Sequence, residues 1–209
     1  NNNIDNRINY GSLRAFGSLG WGIASIWAGI LFTKISISYT FIVSTLLYFT
    51  VLPFFIVPRN RKKIYRPDTK NININLITRN KWLLLFTVIL ILHGIASSPI
   101  TSFLNLYFVE LKAKNLIIGY AYAIQALSEV PFFFIGNKIL KKLGNSNTLI
   151  LSIFLMVIRL FLYSISQNIF LSLILCILQG FTFSLFLIPV VNFMNRILPG
   201  GFHATAQTL

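Results

Sequence analysis

The chain has 209 residues, of which 56% are hydrophobic and only 11% are charged. Soluble domains carry about a quarter of their residues as charged side chains, so the composition excludes an ordinary soluble protein and indicates a chain that lies in lipid. A net charge of +14 is typical of nucleic-acid binding in a soluble protein, but here the basic residues cluster between apolar runs, which is typical of membrane topology. The single cysteine, Cys176, excludes a disulfide framework and a cysteine metal site.

Six apolar runs are long enough to cross a bilayer, which takes about 20 residues per helix. Each is too long and too uniformly apolar for a half-exposed strand or a surface helix. The predicted fold is therefore an all-α, polytopic membrane bundle of about six transmembrane helices. In chain order the predicted spans are residues 15–33, 38–57, 82–109, 116–137, 148–165 and 169–193.

The basic residues between the spans indicate how the chain is oriented. When the connecting segments are assigned alternately to two sides, one side holds 14 Lys and Arg residues, whereas the other holds only Lys34, Lys112 and Lys114. Cytoplasmic loops carry the excess of Lys and Arg. We therefore predict a multi-pass protein of the cell membrane, with both ends of this chain in the cytoplasm.

The longest connecting segment separates two spans from four and contains eight of the basic residues. Its tract Asn-Ile-Asn-Ile-Asn-Leu, at 71–76, alternates as a strand does, but we favour a flexible linker near anionic lipid headgroups. The segment is the predicted domain boundary. Residues 1–58 form one unit with two helices, 59–81 form a central cytoplasmic loop, and 82–209 form a second unit with four helices.

Two ionisable residues lie deep inside predicted spans. At about 1.5 Å per residue, Glu129 lies roughly 12 Å from the cytoplasmic end of its helix, and Arg159 roughly 15 Å from the cytoplasmic end of the next, antiparallel helix. Ionisable groups at such depth are costly, so they indicate a functional site. The matching depths predict that the two side chains pair, and that Glu129 binds and releases a proton as its partner moves. A purely structural hydrogen-bond network is the alternative.

Two further polar groups, His93 and Gln179, fall at similar depth in two other spans. Four consecutive helices therefore each place one polar group near the midplane. These two residues are candidates for substrate contact, and a structural role in holding the bundle together is the alternative.

The first span is rich in small residues. Gly20, Ala24 and Ala28 form a predicted ridge that lets another helix approach closely. Arg14 and Trp21 are seven residues apart and share a face, which places Trp21 roughly 10 Å inside the membrane from Arg14. An indole at that position can stack against a ligand, or it can serve ordinary packing.

Several segments resemble the lactose-permease-like branch of the major facilitator superfamily, which includes sugar, phenylpropionate and nucleoside permeases. YGSLRAFGSLGW at 10–21 resembles the start of helix five. LYFVEL at 106–111, followed by Gly119, resembles the junction of helices seven and eight, and SEVPF at 128–132 resembles the Glu-x-Pro of helix eight. Leu143-Gly144 with Arg159 resembles the turn and the arginine of helix nine, and LQGFTF at 178–183 resembles helix ten.

The resemblance implies a partial major facilitator fold, from helix five to helix ten, in a fragment of a proton-coupled transporter for a sugar or another small organic molecule. In that reading Arg14 hydrogen-bonds the substrate, Trp21 stacks on it, His93 and Gln179 also contact it, and Glu129 and Arg159 couple the proton. The implied partners are the substrate, protons and the bilayer. We expect no cofactor, metal or nucleic acid, and a monomer when full length.

The chain also departs from the sugar permeases. Gln179 and Thr182 stand where those proteins carry a histidine and a glutamate in helix ten, and the helix-eight glutamate falls near Ala126, so that Glu129 is the only deep carboxyl available. Two other functions stay open at this stage. One is a non-transporting membrane scaffold, and the other is a membrane-embedded enzyme, which would require clustered His and carboxylate groups near the interface.

Overall fold

The computed structural model describes residues 10–34, 36, 38–56 and 81–197. The predicted loop at 59–81, with its asparagine-rich tract, lies outside this part except for Lys81, and so do the two ends of the chain. The described residues are nearly all helical and include no strand, so the predicted all-α architecture is confirmed. The helices are α1 (Tyr10–Lys34), α2 (Tyr39–Ile56), α3 (Lys81–Glu110), α4 (Asn115–Ile165) and α5 (Ile169–Ile197).

Helices α1, α3, α4 and α5 are each long and apolar enough to cross a membrane, and α2 is a shorter apolar helix. Their outward faces carry large exposed apolar side chains, among them Trp27, Phe41 and Tyr48. Apolar surface on this scale faces lipid or other apolar helices rather than water. The chain is a multi-pass membrane protein.

Helix α4 is too long for one crossing. Its 51 residues would rise about 75 Å if straight, against a hydrocarbon core of about 30 Å. Gly144 interrupts it with φ 81° and ψ 167°, a conformation that glycine adopts without a side-chain clash. We call residues 115–143 the first arm and residues 145–165 the second arm. The two predicted spans at 116–137 and 148–165 fall in these arms.

The contacts of the two arms with α5 give their directions. The first arm runs parallel to α5, because Gln125 meets Cys176 and, further along both helices, Gly136 meets Ile188. The second arm runs antiparallel to α5, because Tyr163 contacts Cys176 near the start of α5, whereas Asn145 accepts a hydrogen bond from Asn192 near its end. The chain therefore reverses direction at Gly144 and again between the second arm and α5.

Helices α1 and α3 complete this alternation. α1 is antiparallel to the first arm, because Ser18 bonds Glu129 while the side chain of Asn115 donates to the carbonyl of Phe32. α3 is antiparallel to α5, with Phe86 against Phe193 and Tyr107 against Ser172. These directions are those of successive bilayer crossings.

The close approach of α1 to the first arm uses a different face from the predicted ridge. A Cβ added at Gly29 would lie 3.0 Å from the Cα of Gly119, and one at Gly22 would lie 3.4 Å from the Cβ of Ala126. One added at Gly20 would meet nothing within 4 Å. The ridge prediction was therefore wrong for this contact. The contacting face follows positions 18, 22 and 29, and Ala24 and Ala28 line a neighbouring cleft instead.

Candidate functional site

The deepest polar side chains of the described helices meet between α1, the two arms of α4 and α5. Glu129, on the first arm, is only 8% exposed. Its Oε2 accepts a hydrogen bond of 2.6 Å from the Ser18 hydroxyl of α1, and its Oε1 accepts one of 3.2 Å from the Gln179 amide of α5. The carboxylate is thus held from two other helices, which compensates part of the cost of burying it.

Arg159, on the second arm, is fully buried. Its Nη1 donates to Oε1 of Gln179 and, at 3.3 Å, to the hydroxyl of Thr182. The guanidinium carbon lies 5.6 Å from the centre of the Tyr163 ring, within the range of a cation–π contact. Nε and Nη2 have no hydrogen-bond partner within the described part of the chain.

Gln179 joins the two charged groups. Its amide nitrogen donates to Glu129 while its amide oxygen accepts from Arg159, a combination that a primary amide provides and a single charged group does not. The sequence placed Glu129 and Arg159 at equal height, and both do reach Gln179. It predicted a direct pair, whereas the contact runs through this amide, because both arms pack on α5 and Gln179 lies between them.

Arg14 extends the cluster toward the start of α1. Its side chain is exposed, and its guanidinium lies 5.3 Å from the centre of the Phe183 ring of α5. Arg14 lies one turn before Ser18, whose hydroxyl bonds Glu129, and Arg159 shares the amide of Gln179 with Glu129. In the described helices the cluster therefore combines one carboxylate with two guanidinium groups.

His93 lies on α3, half-buried, with its ring stacked on Phe186 at a centroid distance of 3.5 Å and an angle of 12°. The structure gives it a ring contact on α5 and, among the described residues, no hydrogen bond to the Glu129 network. In the described segments, no group of three His, Cys, Asp or Glu side chains comes close enough together to hold a metal ion.

Trp21 does not pack into the core of the described helices: 63% of it is exposed. It lines a cleft of about 610 Å³ between α1, α2, α3 and the first arm. The lining groups are uncharged, and the polar ones are Ser25, Thr40, Ser44, Asn105, Asn115 and Tyr122. Ser18 lies one turn before Trp21, so α1 contributes to both the cleft and the Glu129 cluster.

Sequence reasoning missed a second polar cluster near the turn between the second arm and α5. The Tyr107 hydroxyl donates to the carbonyl of Ser166 at 2.7 Å and lies 2.9 Å from the Ser172 hydroxyl. Tyr163 contacts the Cys176 thiol at 3.3 Å. These groups tie α3, the second arm and α5 together. Ser18 was missed as well, although its position one turn after Arg14 was a usable signal.

Comparison with known proteins agrees with this architecture. Residues 2–209 match the family described as "MFS_1 like family". The chain is 25% identical over 207 residues to "Uncharacterized transporter YwbF" of Bacillus subtilis (strain 168), an alignment that covers 96% of this chain and 50% of that protein. The chain thus spans about half the length of this relative. No solved structure gives a significant match. Because the family match covers nearly all of the sequence, the chain belongs to the MFS_1 like family.

Proposed function

We propose that this chain is part of a secondary active transporter that couples a small solute to protons, in the manner of the lactose-permease-like branch. Membership of the MFS_1 like family and the name of the Bacillus relative support the transporter function. The observation that carries proton coupling is the buried Glu129, held between Ser18 and Gln179 in the membrane interior.

Glu129 is the proposed proton carrier, with Gln179 and Arg159 as its partners. In the charged form the carboxylate has a hydroxyl and an amide as donors, together with the charge of two guanidinium groups. In the protonated form it can donate to the Ser18 oxygen, because a hydroxyl both donates and accepts. Both forms therefore have hydrogen-bond partners, which is what a reversible proton site requires.

The cleft beside Trp21 is the proposed substrate site. Its volume of about 610 Å³ lies within the range of roughly 300–1,000 Å³ usual for small-molecule pockets. An exposed indole beside uncharged hydroxyl and amide groups favours a neutral solute with an apolar face, such as a sugar or another small organic molecule. Arg14, His93 and Gln179 do not line this cleft, and they are the proposed further contacts of the substrate in the complete transporter.

The predicted organisation completes the proposal. Residues 1–58 would close the first helix bundle of the whole transporter, 59–81 would link the bundles in the cytoplasm, and 82–209 would open the second bundle. The contact of α1 with the first arm is then a contact between bundles, which move against each other in transporters of this kind. The excess of basic residues on one side supports cytoplasmic ends for this chain in the cell membrane, and the complete transporter would act as a monomer.

The test uses the intact protein in proteoliposomes with a panel of small solutes. Glu129→Gln removes the titratable group and keeps the size, so accumulation driven by a pH gradient should fall to background, while counterflow exchange, which needs no net proton movement, should persist. Glu110→Gln, on the exposed end of α3, is the matched control and should behave as the wild type does. Accumulation by Glu129→Gln, or equal loss of both activities, would refute the coupling role.

A further inference from the structure

Ser18 is the residue of α1 whose side chain reaches the carboxylate of the first arm. It is 5% exposed, and its hydroxyl donates to Oε2 of Glu129 at 2.6 Å across 111 positions of sequence. Elsewhere along this interface the contacts are of two other kinds. Gly22 and Gly29 allow close apolar packing, and Asn115 donates to the carbonyl of Phe32 at the other end.

Two other hydroxyl groups of α1, those of Ser25 and Thr33, bond their own helix instead. Ser25 donates to the carbonyl of Trp21, four residues back on its own helix, at 2.8 Å, and Thr33 donates to the carbonyl of Ile30 at 2.6 Å. A serine in a helix can usually reach such a carbonyl. Ser18 therefore has a second acceptor, the carbonyl of Arg14 one turn back, and its bond to Glu129 is one of two available arrangements.

We propose that Ser18 is the coupling residue through which the protonation state of Glu129 sets the contact between α1 and the first arm. A carboxylate accepts a charge-assisted bond, which is about twice as strong as a bond between neutral groups. Protonation makes Glu129 neutral, so its hydrogen bond with Ser18 is no longer stronger than the bond that Ser18 can donate to the carbonyl of Arg14. α1 is then held less tightly to the first arm at this end and can separate from it.

The surroundings of Glu129 are compatible with such a switch. α1 contributes the charge of Arg14, the second arm contributes Arg159, and α5 contributes the neutral Gln179. The hydroxyl of Ser184 on α5 lies 3.4 Å from the backbone carbonyl of Glu129. The links to α5 and the second arm remain when the Ser18 bond changes, so the proton would alter one contact surface and leave the other in place.

The inference rests on Glu129 as the proton site, and its test has a readout that is independent of transport. Spin labels on Phe16→Cys of α1 and Phe134→Cys of the first arm, both exposed, report the distance between the two helices in the intact protein. We expect the distance distribution to shift between alkaline and acidic pH. Glu129→Gln should show the acidic distribution at every pH, and Ser18→Ala should show one distribution at both pH values.

The controls separate a switch from a packing contact. Ser18→Thr keeps the hydroxyl and should restore the pH-dependent shift, and Ser18→Cys, a weak donor of similar size, should give a reduced shift and serves if Ser18→Ala does not fold. Ser164→Ala, whose hydroxyl bonds its own helix at Phe161, should leave the shift unchanged. In transport assays Ser18→Ala should lower pH-driven accumulation several-fold and leave exchange within about twofold.

Three results would overturn the inference. A pH-dependent shift that persists in Ser18→Ala would show that another contact transmits the proton state. Equal loss of accumulation and exchange in Ser18→Ala, together with a lower melting temperature, would show that Ser18 serves packing. The absence of any shift in the wild type would remove the switch itself. If instead Glu129→Gln still accumulates solute while the shift depends on Glu129 and Ser18, the proposed proton coupling fails and the switch stands.

Discussion

The first arm of α4 has two contact surfaces that differ in how they are held. Toward α5, polar contacts extend over successive turns: Gln125 donates to the Cys176 thiol, Ser128 accepts from the backbone N–H of Gly180, and Ser184 donates to the carbonyl of Glu129. Toward α1, glycines pack closely, and the polar bonds between the described side chains lie near the two ends of the contact, at Ser18 and at Asn115. We predict that the first surface is a fixed joint and the second a separable one, which is the combination that the proposed movement of two bundles requires.

The largest effect should come from filling the fixed joint. A Cβ at Gly180 would overlap the carbonyl group of Ser128, so that backbone meets backbone and no side chain can rotate away. We expect Gly180→Ala to lower the free energy of unfolding by about 3 kcal/mol, measured by denaturant titration in detergent. Gly94→Ala, where an added Cβ meets nothing within 4 Å, should leave stability unchanged or slightly raised. Equal stabilities of Gly180→Ala and Gly94→Ala would mean that the contact between the first arm and α5 adjusts to the added methyl group.

The next effect should come from removing the amide between the two charges. Gln179→Leu keeps a similar volume but takes a donor from Glu129 and an acceptor from Arg159, both buried. We expect a loss of about 2 kcal/mol, since hydrogen bonds to charged groups are the stronger class. The same titration on Gln125→Leu, whose amide donates a long bond of 3.8 Å to the uncharged Cys176 thiol, should show a clearly smaller loss. Similar losses would contradict the bridging role.

Hydropathy and charge predicted the part of the fold that depends on the solvent. Residues in lipid must be apolar over about 20 positions, so the spans and the alternating directions could be read directly. The equal depth of Glu129 and Arg159 followed from helical rise alone. All of these are properties of one helix at a time.

What escaped prediction depends on how helices face each other. A transmembrane helix is apolar on every side, so the sequence pattern does not show which face meets a neighbour. This explains why Gly20 was chosen for the close contact instead of Gly22, and why Ser18 was overlooked as a partner of Glu129. Gln179 was identified as a polar group at the right depth, but its position between two charges depends on both arms packing on α5.

The smallest change in stability should come from a substitution at the separable surface, between the first arm and α1. This substitution tests most directly whether the two surfaces differ. A Cβ at Gly119 would lie 2.7 Å from the carbonyl oxygen of Ser25 and 2.9 Å from the Cα of Gly29, which is again a backbone clash. If α1 can move away, Gly119→Ala should cost less than about 1 kcal/mol in the same titration, well below the loss for Gly180→Ala. A loss as large as that of Gly180→Ala would show that both surfaces are fixed, and the division into two kinds of contact would fail.

The separation itself can be measured by cross-linking. The Cβ positions at Gly22 and Ala126 are 3.4 Å apart, close to the roughly 3.5–4.5 Å that disulfides require, so Gly22→Cys with Ala126→Cys should oxidise readily. Adding Gly119→Ala should lower the yield, because α1 is displaced. Gly136→Ala is the matched control on the same arm: its methyl meets the flexible side chain of Ile188 on α5, so the yield should stay unchanged. An unchanged disulfide yield with Gly119→Ala would mean that the added methyl group fits without displacing α1.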